Sequence, residues 1–123
     1  MARFLILDDD EDIGSVVQMI LQLEGHEAAV VTTADEAVAM QRSQPADVLI
    51  TDIFMPEKDG LETIQQFRRD FPKARIIAMS GGGDTLRNTY LFSAREMGAA
   101  QVIRKPFEKD ALLAVVRQVL ATA

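Results

Sequence analysis

At 123 residues the chain has the length of one domain, long enough to bury a real core without disulfide or metal staples. Apolar residues at 48 % and charged residues at 26 % suit a globular protein, while zero cysteines and one histidine exclude disulfide frameworks, thiolate metal sites, cysteine nucleophiles and multi-histidine centres. Thirteen Lys and Arg against nineteen Asp and Glu give a net charge of −6, which disfavours direct nucleic-acid binding, because phosphate backbones demand a basic footprint.

The predicted elements alternate from the first residues onward. Phe4-Leu5-Ile6-Leu7 is a continuous apolar run, as a strand buried on both faces requires. Ile13, Val16, Val17, Ile20 and Leu21 then recur at helical spacing, and Gly25 is the expected stop. Ala28-Ala29-Val30-Val31 reads as a weaker second strand. Thr33 and Glu36 have capping-box spacing, so a helix should start there and run to about Ser43. Val48-Leu49-Ile50 is the third strand. Leu61, Ile64, Phe67 and Phe71 mark a third helix, ended by Pro72. Ile76-Ile77-Ala78-Met79 is the fourth strand, followed by a helix within Leu86–Met97 that Gly98 closes. Gln101-Val102-Ile103 is a short fifth strand. Leu112, Leu113, Val116, Val119 and Leu120 form the apolar stripe of the last helix. Five strand–helix units in succession imply an α/β fold, a parallel sheet with helices on both faces.

In such sheets ligands sit beyond the carboxyl ends of the strands. The first strand ends in Asp8-Asp9-Asp10, the third in Thr51-Asp52, the fourth in Ser80 and the fifth in Arg104-Lys105-Pro106. Carboxylates, a hydroxyl and an ammonium therefore share one rim. Asp8 to Asp12 form an unbroken acidic run; with Asp52 set aside too, thirteen acids face thirteen bases. The net charge of the chain thus equals the charge of this one region. Clustered carboxylates repel unless a cation joins them, and a hard cation such as Mg²⁺ suits oxygen ligands. An Asp carboxylate can act as a nucleophile and carry a phosphoryl group. Phosphoryl transfer needs mainly positioning and charge neutralisation, which a metal and a lysine supply. Ser80 is placed to hydrogen-bond a phosphoryl oxygen, and Gly81 to Gly83 give the next loop freedom to shift when that bond forms. Glu11 and Asp12 are expected to serve the first helix's start, and His26 a surface or loop position.

Leu5-Ile6-Leu7-Asp8-Asp9-Asp10, Asp52-Ile53-Phe54-Met55-Pro56 with Asp59-Gly60, Met79-Ser80 and Lys105-Pro106-Phe107 together resemble the receiver domain of two-component response regulators. The likeness covers essentially the whole chain, so residues 1–123 are expected to form one receiver domain with no output domain. The resemblance implies a flavodoxin-like, doubly wound sheet of five parallel strands in the order 2-1-3-4-5, flanked by five helices. It implies that Asp52 is the phosphoacceptor for a histidine kinase or phosphotransfer protein. Asp9 would ligate Mg²⁺ directly with Asp52 and the Phe54 carbonyl, and Asp8 through water. Ser80 and Lys105 would bind the phosphoryl group, and the Lys105–Pro106 bond would be cis. The readout would be the surface of the fourth helix, fifth strand and fifth helix, offered to a downstream protein target or an output domain. The chain would act as a signalling phosphoprotein without substrate turnover. With no secretory leader and no apolar run of membrane-spanning length, a soluble cytoplasmic protein is expected.

Three departures from that family pattern stand out. Val102 occupies the position, three residues before the lysine, where an aromatic switch residue is frequent. The stretch from Ser80 to Gly98 exceeds the usual length by about three residues, roughly one helical turn. Phe54, two residues after Asp52, is large and apolar where an attacking water would approach. The phosphorylated chain is therefore expected to outlive its Phe54→Asn variant; equal decay of the two, followed by intact mass, would dismiss this role.

Two rival readings fit parts of the same pattern. Asp8 and Asp10 fit, superficially, the nucleophile and second acid of a Mg²⁺-dependent phosphatase of the haloacid dehalogenase class, which leaves the Asp52 segment unexplained. A receiver-like interaction module independent of phosphate is the other.

Overall fold

A computed structural model describes residues 2–53, 60–81 and 94–121. The chain forms β1 (Arg3–Leu7), α1 (Glu11–Leu23), β2 (Glu27–Val31), α2 (Ala34–Ser43), β3 (Val48–Asp52), α3 (Gly60–Asp70), β4 (Arg75–Gly81), a helical stretch α4 over 94–97, β5 (Gln101–Lys105) and α5 (Lys109–Ala121). The start expected for α4, from Leu86, lies outside the described residues. All five strands are parallel, in the order β2-β1-β3-β4-β5.

Side-chain alternation along the central strands divides the core into two layers. Leu5, Leu7, Leu49, Ile76 and Ala78 face a layer completed by Ile64 and Phe67 of α3 and by Ala34, Ala37 and Val38 of α2. Phe4, Ile6, Val48, Ile50, Ile77 and Met79 face the other, built from Val17, Ile20 and Leu21 of α1 and Leu112, Leu113, Val116 and Val119 of α5. Strands apolar on both faces thus lie between two helical layers, which is why their sequences read as unbroken apolar runs.

Local chemistry sets the helix ends. Asp10 caps α1, its carboxylate accepting the Asp12 and Ile13 amides at 3.0 and 3.4 Å. Glu11 and Asp12 fill the first turn, where negative charge meets the positive helix end. Thr33 caps α2 by accepting the Glu36 amide at 3.2 Å, as its spacing predicts. β2 lies at the sheet edge, where the Gln18 amide donates to the Ala28 carbonyl at 2.9 Å and blunts the open ladder. His26 is more engaged than its loop position foretold. Its Nδ1 accepts the Ala2 amide at 3.1 Å, and its ring meets Phe4 edge-on at 5.0 Å.

Gly98 follows α4 at φ +123°, a conformation that L side chains rarely adopt. A Cβ there would lie 2.6 Å from Cγ of Arg68, whose guanidinium donates to the Pro72 carbonyl at 3.3 Å. Gly98→Ala is therefore expected to cost about 1–3 kcal/mol, mostly from the backbone, and to lower Tm by several degrees. An unchanged melting curve would show that the turn relaxes freely.

Candidate functional site

The carboxyl ends of β1, β3, β4 and β5 meet on one rim of the sheet. Asp8 directly follows β1 and is fully buried. Its amide donates to the Val31 carbonyl at 3.2 Å, which holds the backbone against β2. Both carboxylate oxygens are engaged: Oδ1 accepts the Asp10 amide at 2.9 Å, and Oδ2 receives Lys105 Nζ at 2.7 Å. Asp9, next along the chain, is exposed. Asp10 turns away to cap α1. Three adjacent and identical residues thus have three different environments.

Asp52 is the last residue of β3 and only 6 % exposed. Its Oδ2 lies 3.4 Å from Lys105 Nζ. The ladder continues past it, since the Ile53 amide donates to the Met79 carbonyl at 3.0 Å. That pairing holds Asp52 level with Met79, one residue before Ser80. Ser80 is fully buried on β4, in register with Arg104 of β5. Lys105 ends β5, and its bond to Pro106 is cis. Phe54 lies outside the described residues, as do Gly82, Gly83 and the rest of the lengthened stretch up to residue 93.

One oxygen each of Asp8, Asp9 and Asp52 lies within 4.8 Å of the others. Lys105 reaches into this group and sits closer to Asp8 than to Asp52. A buried carboxylate is tolerated only when paired and hydrogen-bonded, and Asp8 meets both conditions. Three carboxylates against one ammonium leave room for a divalent cation, and an all-oxygen donor set favours a hard one. The sequence placed Asp8, Asp9, Asp52, Ser80 and Lys105 at strand ends, and all five come to this rim. It gave no sign of the direct contact between Asp8 and Lys105, which are 97 residues apart.

Comparison with known proteins decides the family. The family model of the response regulator receiver domain matches residues 4–117. The chain belongs to this receiver family. It is 29 % identical over 120 residues to the transcriptional regulatory protein CpxR of Klebsiella pneumoniae, covering 98 % of this chain and 50 % of that protein. It is 33 % identical over 121 residues to the DNA-binding transcriptional regulator NtrC of Azospirillum brasilense, covering 97 % of this chain and 24 % of that one. This receiver therefore spans between a quarter and a half of the length of these curated relatives. The crystal structure of the receiver domain of NtrX from Brucella abortus matches with a TM-score of 0.92 and 31 % identity, over 98 % of this chain and 99 % of that one. No helix among the described residues of the receiver is long and apolar enough to cross a membrane.

Proposed function

We propose that residues 1–123 act as a phosphorylation switch in which Asp52 accepts a phosphoryl group from a phosphohistidine donor. The observation that carries this reading is the position of Lys105 Nζ, 2.7 Å from Asp8 and 3.4 Å from Asp52, inside a cluster of three carboxylates. Asp52 is the acid best placed to react. Asp8 has both oxygens engaged and no exposed surface, which argues against the phosphatase reading. Asp9 is exposed and makes no ion pair with Lys105.

In the transfer an Asp52 oxygen forms a bond to phosphorus as the bond from phosphorus to the donor nitrogen breaks. The electron pair of the broken bond stays with the donor imidazole. Asp8, Asp9 and Asp52, together with the Phe54 carbonyl, are the groups that would hold Mg²⁺, Asp8 through water. When bound, Mg²⁺ neutralises charge on the phosphoryl oxygens. Lys105 turns from the carboxylates to a phosphoryl oxygen and offsets its charge. Ser80 donates its hydroxyl to another. The new acceptor oxygens give Ser80 and Lys105 partners that the unmodified chain lacks, and this difference in contacts biases α4, β5 and α5 toward a second arrangement.

The donor is a histidine kinase or phosphotransfer protein, and the reader is a downstream protein target or an output domain, in the cytoplasm. Val16, Met19 and Leu23 form an exposed apolar stripe on α1, the helix that starts beside Asp9. This stripe suits a donor presenting an apolar helical surface. The test is intact-protein mass after incubation with acetyl phosphate, with and without Mg²⁺. The expected result is a Mg²⁺-dependent gain of one phosphoryl group located on Asp52. No gain from either acetyl phosphate or a phosphohistidine donor would overturn the proposal.

A further inference from the structure

Alternate residues of β5 serve opposite layers. Ile103 packs with the layer of α1 and α5, and Val102 with the layer of α2 and α3. Arg104 lies two register positions beyond Val102, whose cross-strand partner is Ala78, and stands directly opposite Ser80. It is exposed, and among the described residues its side chain forms no hydrogen bond or ion pair. Neighbouring strands are about 4.8 Å apart, a gap that an arginine side chain outreaches.

The charge of the site calls for another cation once Asp52 is modified. Asp8, Asp9 and Asp52 carry three negative charges, which Lys105 and a divalent cation together balance. Transfer removes the Asp52 carboxylate charge and brings roughly −1.5 to −2. Up to about one negative charge is then left without a counter-charge. A guanidinium suits this vacancy, because its fork of N–H donors matches phosphoryl oxygens and it is more weakly hydrated than an ammonium.

We propose that Arg104 is a second cationic ligand of the phosphorylated site, donating to a phosphoryl oxygen beside Ser80 and Lys105. In the unmodified chain it lies in solvent on the outer strand. On phosphorylation it folds over the strand end, and an exposed positive charge leaves the surface of β5. With Val102 in place of an aromatic, this movement of charge is what a partner on β5 reads. The inference rests on Asp52 being the phosphoacceptor and adds Arg104 to its partners.

The test compares the wild-type chain with Arg104→Gln and Arg104→Lys. Each is titrated with Mg²⁺ alone, then with beryllofluoride in saturating Mg²⁺, which mimics a phosphoryl group on a carboxylate; binding is followed by ¹H–¹⁵N NMR. Arg104→Gln should bind beryllofluoride about tenfold more weakly, the weight of one exposed charge-assisted hydrogen bond. Its Mg²⁺ affinity should match wild type, Arg104→Lys should recover part of the loss, and the wild-type Arg104 Nε signal should shift on beryllofluoride binding. Equal beryllofluoride affinity in wild type and Arg104→Gln would overturn the role of Arg104 and leave Asp52 untouched. Equal weakening toward Mg²⁺ and beryllofluoride would overturn it as well, since Arg104 would then act on the metal or the fold. A wild-type chain blind to beryllofluoride would overturn the phosphoacceptor reading itself.

Discussion

Asp52→Asn should abolish phosphoryl uptake completely while leaving the chain folded. Asparagine keeps the shape of the side chain but offers no anionic oxygen to attack phosphorus. Neither neighbouring acid can take over. Asp8 is fully buried, with one oxygen bound by the Asp10 amide and the other by Lys105. Asp9 is exposed and makes no ion pair with that lysine. Stability should be equal to wild type or slightly higher. The substitution removes one of three mutually repelling carboxylates, and of the two contacts that Lys105 makes with them it weakens the longer, 3.4 Å against 2.7 Å. Intact mass after acetyl phosphate and Mg²⁺ reads the first expectation, and thermal melting reads the second. A phosphoryl group that persists in the folded variant would move the acceptor to another acid.

Lys105→Met should destabilise the metal-free chain by about 2–3 kcal/mol. Removing one partner of a buried pair typically costs about 3–5 kcal/mol. Here the lysine side chain is 16 % exposed and Asp8 keeps its bond from the Asp10 amide, so solvent and that amide recover part of the loss. Tm should fall by roughly 8–15 °C. Mg²⁺ should then recover much of the loss. A cation that binds the folded state stabilises it in proportion to the logarithm of its concentration over Kd, and without Lys105 the cation no longer competes with that ammonium for the carboxylates. The decisive quantity is the rise in Tm on adding Mg²⁺, which should be larger in the variant than in wild type. Equal rises in the two would show that Lys105 and the cation do not share the carboxylates.

Much of the fold is legible because each strand is apolar on both faces and each described helix has one apolar stripe. The capping pair Thr33 and Glu36 was readable for the same local reason, since its hydrogen bond closes within four residues. Strand ends were less so. Thr51, Asp52, Ser80, Gly81, Arg104 and Lys105 all belong to strands although apolar content stops short of them. Ladder hydrogen bonds come from the backbone, so they continue through polar residues that hydropathy reads as loop. Strand order was not readable from alternation, which dictates a parallel sheet and leaves its winding open. The order came from the family likeness, and the register pairs bear it out.

The same division runs through the candidate site. The sequence by itself determined the kinds of groups at the rim, because a strand's end places the next residue there whatever the rest of the chain does. Only the tertiary structure decided how they differ. Asp8, Asp9 and Asp10 are chemically identical, yet one is buried against Lys105, one is exposed and one caps a helix. Which carboxylate meets the lysine depends on how β1 and β5 lie across the sheet. Asp8 and Lys105 are 97 residues apart in sequence, and that contact exists only once two strands between them are in register. Charge and hydrogen-bonding capacity are properties of a residue, whereas burial and pairing belong to the packed sheet.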